Sequence, residues 1–277
     1  MHHFMPTALN EALDHIAAKE IKIVAGGTDY FPSQNQGPIK TDLLDISRIP
    51  ELSGISCDGD TWRIGATTSW SDIFRTKLPP CFDGLQAAAR EVGSLQIQNA
   101  GTVAGNVCNA SPAADGVPPL LTLDAQAELQ SVRGKRVIPL NEFITGVRDV
   151  ALASDEMVTG FLLPNVPLTA ASAFEKLGSR RYLVISITMT AVVIGFDPQG
   201  RINHARVAIG ACSPVAQRLL QLEADLIGKT LGEITLNDSH FSTLSPIADV
   251  RGSAEFRLEA VAEQCLRTIT KAAQAHE

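Results

Sequence analysis

Cysteine is sparse in this sequence and poorly placed for chemistry. Cys57, Cys81, Cys108, Cys212 and Cys265 are odd in number and scattered, with no CxxC pair. That spacing argues against a disulfide framework, against an iron–sulfur cluster with its four thiolates, and against a zinc site with paired Cys and His ligands. The six histidines form no HExxH, and only His2 and His3 are adjacent. Aromatic residues are few, at 5%. No apolar run approaches the roughly 20 residues of a membrane-spanning helix, so no membrane span is expected. The first twenty residues show no charged region followed by an apolar block, so a signal peptide is not expected and the cytoplasm is the expected compartment. Basic residues are in deficit, 23 against 30 acidic ones, which argues against the Lys/Arg excess that a nucleic-acid surface requires.

The familiar phosphate loops are missing too. No GxGxxG follows a strand. Gly228-Lys229-Thr230 resembles the end of a Walker A loop, but Glu223 stands where the earlier glycine is needed, and the triplet reads as the end of a helix.

What is present is a chain of 277 residues, 45% hydrophobic, long enough to bury substantial cores. Thr7 is placed to cap a helix in which Ala8, Leu9, Ala12, Leu13, Ile16 and Ala17 recur at helical spacing. A β-branched run then ends in Gly26-Gly27. "TDLLDIS" and "TWRIGATTS" read as strands, Ser71–Phe74 and Leu85–Val92 as short helices, "AELQSVRGKRVIPL" as a hairpin turning at Gly134, and "DEMVTGFLLP" as a strand stopping at Pro164. After the loop "PNVPLTAAS" come strands in "AFEKLG", "SITMTAVVIGF" and "HARVAIGAC", then helices over Val215–Asp225 and Ala254–Ala273. Strands followed by helices without alternation predict an α+β fold, with a domain boundary near residue 170.

Two stretches invite a ligand. In "VAGGTDY", Val24–Tyr30, consecutive glycines let backbone N–H groups converge on an anion, although a plain strand-ending turn explains them equally well. In "QNAGTVAGNVCNASPAADGVPPLL", Gln98–Leu121, Asp115 is the only formal charge and there is no aromatic ring, so the segment is too polar to read as an ordinary core helix. Small Thr, Asn and Ser side chains admit close approach, and Asp115 offers an acceptor for a hydroxyl or an N–H. Amides for a pyrophosphate and a carboxylate for a sugar suit a dinucleotide. A tightly packed interdomain loop with buried Asn side chains is the competing reading.

"VAGGTD" upstream of "QIQNAGTVAGNVCNASPAAD", together with "FEKLGSRR" and "ADVRGSAEFR", resembles the FAD-binding (medium) subunit of the molybdenum hydroxylases, the xanthine dehydrogenase and carbon monoxide dehydrogenase family, over essentially the whole chain. The resemblance implies a vanillyl-alcohol-oxidase (PCMH) type FAD-binding domain over residues 1–170, made of two α/β subdomains (about 1–55 and 56–170), followed by a C-terminal α+β domain over 171–277. It implies noncovalent FAD held by the backbone of Ile23, Val24, Ala25, Gly26, Gly27, Thr28, Asp29 and Tyr30. A second loop follows, formed by Thr102, Val103, Ala104, Gly105 and Asn106. Asp115, Leu163 and Lys176 match flavin-contacting positions, with Val92 as a further candidate. It also implies a molybdopterin-containing large subunit and an iron–sulfur small subunit as partners, with NAD or another acceptor taking the electrons. No catalytic residue and no metal ligand is expected. Lys176, Arg180 and Arg181 are candidates to stabilise charge near reduced flavin, or simply solvated cations, and Tyr182 lies near the ring or packs.

One departure stands out. The second loop is usually TIGGN, and Ala104 replaces its first glycine. Were residue 104 left-handed, alanine would cost about 1–2 kcal/mol there. Some relatives carry an iron–sulfur insertion after this loop, and none is expected here. Two rival readings remain, a free-standing flavin oxidoreductase of the same fold and a scaffold that has lost FAD.

Overall fold

A computed structural model describes residues 1–34, 37–181 and 183–276. The chain opens with a parallel sheet in the order His3–Phe4, Leu43–Asp45, Lys22–Val24. The helix Leu9–Ala18 lies against it, burying Ala12, Leu13 and Ile16 with Leu44, Ile49 and Leu52. Its N-cap is Ala8, with no side-chain cap bond, so Thr7 lies one position outside the helix rather than capping it.

The second sheet is antiparallel, ordered Ile55–Asp58, Thr61–Gly65, Met157–Pro164, Gln126–Ser131, Gly134–Pro139. In Gln126–Ser131 the alternate residues Ala127, Leu129 and Ser131 point inward, the period of two that a half-buried strand requires. Trp70, Phe82, Phe143 and Phe161, among the few aromatics, are fully buried in the core that fills this region.

The polar stretch within 98–121 corrects the sequence reading. It folds as short helices, Leu95–Ala100, Val103–Cys108 and Val117–Thr122, the last wholly buried. Caps and packing replace periodicity here. Ser94 accepts from the Ile97 N–H and Thr102 from the Gly105 N–H, satisfying donors a helix start leaves open. Pro118 and Pro119 occupy the first turn of the last helix, where a missing N–H costs nothing.

The third sheet is antiparallel, ordered Ala171–Leu177, Thr188–Phe196, Ile202–Gly210, Gln217–Arg218. Its last short strand interrupts what the sequence suggested was one helix, and the helix proper is Leu220–Leu226. Gly228, at φ +82, follows it as the left-handed residue that ends many helices. The long helix Ala254–His276 packs on Ala171–Leu177 and Thr188–Phe196. Near its start the Arg257 side chain, 2% exposed, donates to the carbonyls of Ile187 and Ala211 and to the Asp249 carboxylate. "ADVRGSAEFR" is thus a staple that binds helix, sheet and the Asp249–Gly252 turn.

The two halves of the chain meet broadly. The helix Val117–Thr122 lies on Thr188–Phe196 and Ile202–Gly210, and Asp83–Glu91 lies on Ala171–Leu177. The Gly84 N–H donates to Ser172 Oγ at 2.8 Å. Val193 and Ala208 from the third sheet share a core with Ile64 and Phe161 from the second. Among the described residues no helix is long and apolar enough to cross a membrane.

Candidate functional site

The strand Lys22–Val24 runs into Ala25, Gly26 and Gly27 before a short helix, Tyr30–Ser33. Gly27 is left-handed, at φ +65, a conformation that glycine adopts without strain. Gly26 is constrained differently, because a Cβ there would stand 1.8 Å from the carbonyl oxygen of Ala100. The first loop therefore rests directly on the end of the helix Leu95–Ala100, and the two glycine-bearing segments adjoin.

The second segment is stitched to the turn before Trp70. The Trp70 N–H donates to Gly101 O, and the Val103 and Ala104 N–H groups donate to Thr68 O and Ala66 O. Together the segments wall a cleft of about 650 Å³. Ile23, Val24, Ala25, Gly26, Gly27, Thr28, Asp29 and Tyr30 all line it, as do Thr102, Gly105 and Asn106, with Val92, Trp70, Cys108 and Arg148.

An account of the backbone donors divides the labour between the loops. In the second, the N–H groups of Val103, Ala104, Gly105 and Asn106 are used internally, on Thr68 O, Ala66 O, Thr102 Oγ1 and Thr102 O. In the first, the N–H groups of Gly26, Gly27, Thr28, Asp29 and Tyr30 make no hydrogen bond to any described residue. Five successive amides without a described partner, on residues that line a cleft, are a donor set suited to an anion. Asn106 adds a buried Oδ1 with no partner among the described residues. A buried acceptor left unpaired is costly, and a ligand N–H or hydroxyl would satisfy it. Donors for a diphosphate, an acceptor for a sugar or ring, and glycines in close contact fit a dinucleotide such as FAD.

Ala104 lies within the helix Val103–Cys108 and is absent from the left-handed residues, so its departure from glycine carries no backbone strain. Cys108 lines the cleft, but burial pushes its thiol up to about 12, with Lys22 pulling the other way, and it is no thiolate at neutral pH.

The remaining expected residues do not line the cleft. Val103, Ala104 and Leu163 belong to the core, Leu163 fully buried in the strand Met157–Pro164. Asp115, 7% exposed, accepts from Lys176 Nζ at 2.6 Å and from Ser186 Oγ at 2.7 Å. The Lys176 side chain is 8% exposed and also reaches Glu91 O, next to Val92 on the cleft wall. Burial raises the pKa of Asp115, while Lys176 and the Ser186 hydroxyl draw it back down. Arg180 donates to Leu183 O. With Arg181 it borders a separate cavity of about 690 Å³ that Lys176, Arg267 and Lys271 also line. Tyr182 lies outside the described residues. Sequence reasoning missed Trp70, Arg148 and Ser186 altogether. None sits in a motif, and a glycine at 116 beside the Trp70 ring is the nearest local signal, since a Cβ there would stand 2.1 Å from that ring.

Comparison with known proteins identifies the family. Residues 1–166 match the family described as the FAD binding domain in molybdopterin dehydrogenase. Residues 172–272 match the CO dehydrogenase flavoprotein C-terminal domain. The chain is 34% identical over 270 residues to the nicotinate dehydrogenase FAD-subunit of Eubacterium barkeri, covering 93% of this chain and 91% of that one. It is 27% identical to the carbon monoxide dehydrogenase medium chain of Hydrogenophaga pseudoflava, covering 96% and 95%. The solved structure of the Hydrogenophaga pseudoflava carbon monoxide dehydrogenase that lacks the Mo-pyranopterin moiety superposes with a TM-score of 0.87 at 26% identity, covering 100% of this chain and 98% of that one. Both halves of the fold, the paired loops and their donors therefore lead to one conclusion: this chain belongs to the molybdenum hydroxylase family, as an FAD-binding oxidoreductase subunit.

Proposed function

We propose that the chain is the electron-transfer subunit of a molybdenum hydroxylase complex. Electrons taken from substrate by a molybdopterin-containing large subunit pass through an iron–sulfur small subunit to FAD in the cleft, and leave to NAD or another acceptor. The observation that carries this reading is the row of unengaged amides from Gly26 to Tyr30 on the cleft wall. The names of the relatives as FAD-subunit and medium chain support assembly with other polypeptides.

Bound FAD would supply the one- and two-electron chemistry. The chain's own work is to hold and surround it. The first-loop amides donate to the diphosphate, and Lys22 and Arg148 on the same cleft supply positive charge. Asn106 Oδ1 accepts one of the ligand's donors. Lys176, bonded to Glu91 O beside Val92, forms a buried ion pair with Asp115, and the Ser186 hydroxyl holds the other oxygen of that carboxylate. Leu163 belongs to the core shared with Val103, Ala104 and Val107 of the second segment. Among the described residues lining the cleft there is no histidine to serve as a general base, which favours the subunit over a free-standing oxidase.

The purified chain should show flavin absorption bands, and acid precipitation should release the chromophore to the supernatant, because no tethering histidine lines the cleft and Cys108 is a protonated thiol. It should oxidise no heteroaromatic or aldehyde substrate until the other two subunits are added, whereupon substrate reduces the flavin. Turnover by the lone chain at about 1 to 10³ per second, ordinary for enzymes, would establish the free-standing oxidoreductase instead. Failure of the chain to take up FAD would leave only a scaffold.

A further inference from the structure

Arg148 is a residue that neither the loops nor the resemblance brings forward. It sits in the turn between the short strands Ile144–Gly146 and Asp149–Val150, and its side chain lines the cleft on the side of Cys108 and Asn109. Its backbone is left-handed at φ +62, and its N–H donates at 2.9 Å to the carbonyl of Ala110, which is itself left-handed at φ +45. Two non-glycine residues in that conformation, joined to each other, are an unfavourable arrangement that persists where the surroundings enforce it, commonly at binding sites.

The guanidinium is held through one nitrogen and is otherwise exposed. Nη1 donates to the backbone carbonyl and the Oδ1 of Asn109, the residue that ends the helix Val103–Cys108. Nε and Nη2 make no hydrogen bond to a described residue, and no carboxylate among the described residues pairs with Arg148. The neighbouring Asp149 turns away, accepting from Thr145 Oγ1 at 2.8 Å. The formally charged residues lining the cleft are Lys22, Asp29 and Arg148, a net positive set for a ligand that carries two phosphates. Lys22 enters near the same end, close enough to Cys108 to act on its thiol.

We propose that Arg148 is a ligand-binding residue that grips the adenosine diphosphate half of FAD, using the fork of Nε and Nη2 that Asn109 leaves open. A planar fork of fixed donors is the side chain best matched to phosphate, and an orienting hydrogen bond from one edge lowers the entropy lost when the other edge binds. The inference rests on FAD occupying the cleft.

The test is titration of the full-length apoprotein, as wild type, Arg148→Ala and Arg148→Lys, with FAD, FMN and ADP in turn. In Arg148→Ala the dissociation constants for FAD and ADP should rise roughly tenfold or more, the effect of one charge-assisted hydrogen bond, while that for FMN stays unchanged. Arg148→Lys, which keeps the charge and loses the fork, should fall between the two and serves if the alanine variant does not fold. An unchanged constant for ADP overturns the proposal. So does an equal loss for FMN, which would put Arg148 on the flavin half, and so does a fall in apoprotein melting temperature with all three affinities intact, which would make Arg148 a helix cap only. A wild-type chain that bound none of the three would instead defeat the occupancy of the cleft by FAD.

Discussion

At Gly26 a Cβ would stand 1.8 Å from a backbone carbonyl that cannot swing away, whereas at Gly27 it would meet the ring of Phe31 at 2.5 Å. Phe31 is exposed and its ring is free to turn. The two glycines therefore predict different phenotypes. Gly26→Ala should force the first loop off the helix Leu95–Ala100 and lower apoprotein stability and FAD affinity together. Gly27→Ala should cost the apoprotein about 1–2 kcal/mol of left-handed strain and lose more in FAD affinity than in stability, because the turn sets the row of free amides. Urea midpoints and FAD dissociation constants measured on both variants decide it, and identical profiles would refute the distinction. Lys176→Met should destabilise by about 3–5 kcal/mol, since it strands the buried Asp115 carboxylate. Adding Asp115→Asn should restore part of that loss in a double-mutant cycle. No recovery would mean the pair is uncoupled. The Gly-Gly loop was readable because its signal is local, a β-branched strand running into two glycines. Ser186 and Arg148 were not, because their pairings with Asp115 and Asn109 span 71 and 39 residues of sequence.

Among the elements, the long strands and the helices Trp70–Arg75 and Asp83–Glu91 were legible in the sequence, and the short helices between residues 95 and 122 were not. Thr188–Phe196 and Ile202–Gly210 are β-branched runs bounded by turn residues, and the hairpin of Gln126–Ser131 with Gly134–Pro139 carries its alternation openly. The helices Val103–Cys108 and Val117–Thr122 are too short to show a period of 3.6, and they exist because a cap, two prolines and tertiary packing hold them. The hairpin also carries a pH-sensitive tie. Arg136 on the edge strand bonds both oxygens of Glu156, which accepts from the Ala153 N–H as well. The hydrogen bond from Arg136 leads the effects that hold the Glu156 carboxyl below its ordinary value. A carboxylate with a depressed folded pKa adds stability above its unfolded pKa, about 4.3, and loses it as pH falls through the folded value. Glu156→Gln should consequently melt below wild type at pH 7, and the gap should close as pH drops from about 5 to about 3. A gap independent of pH would show that packing, not charge, is what Glu156 contributes.

Considered as a whole molecule, the chain joins its two halves through a continuous core and a buried ion pair. The core containing Ile64 and Phe161 continues through Val193 and Ala208, the helix Asp83–Glu91 seats on Ala171–Leu177, and the buried set of Asp115, Lys176 and Ser186 crosses the junction. The packing is continuous across residue 170, near which the sequence predicts a domain boundary. Two halves sharing a core and a buried ion pair cannot expose one without stripping cover from the other, so unfolding should be cooperative across the chain. Calorimetry of the apoprotein should show one transition. Saturating FAD should move the whole transition upward, by about 2.7 kcal/mol of added stability at a free concentration 100 times the dissociation constant. Lys176→Met should weaken this coupling, broadening the transition or splitting it. If wild type instead melts in two steps and FAD raises only one of them, the halves are energetically independent, and the buried pair does not couple them.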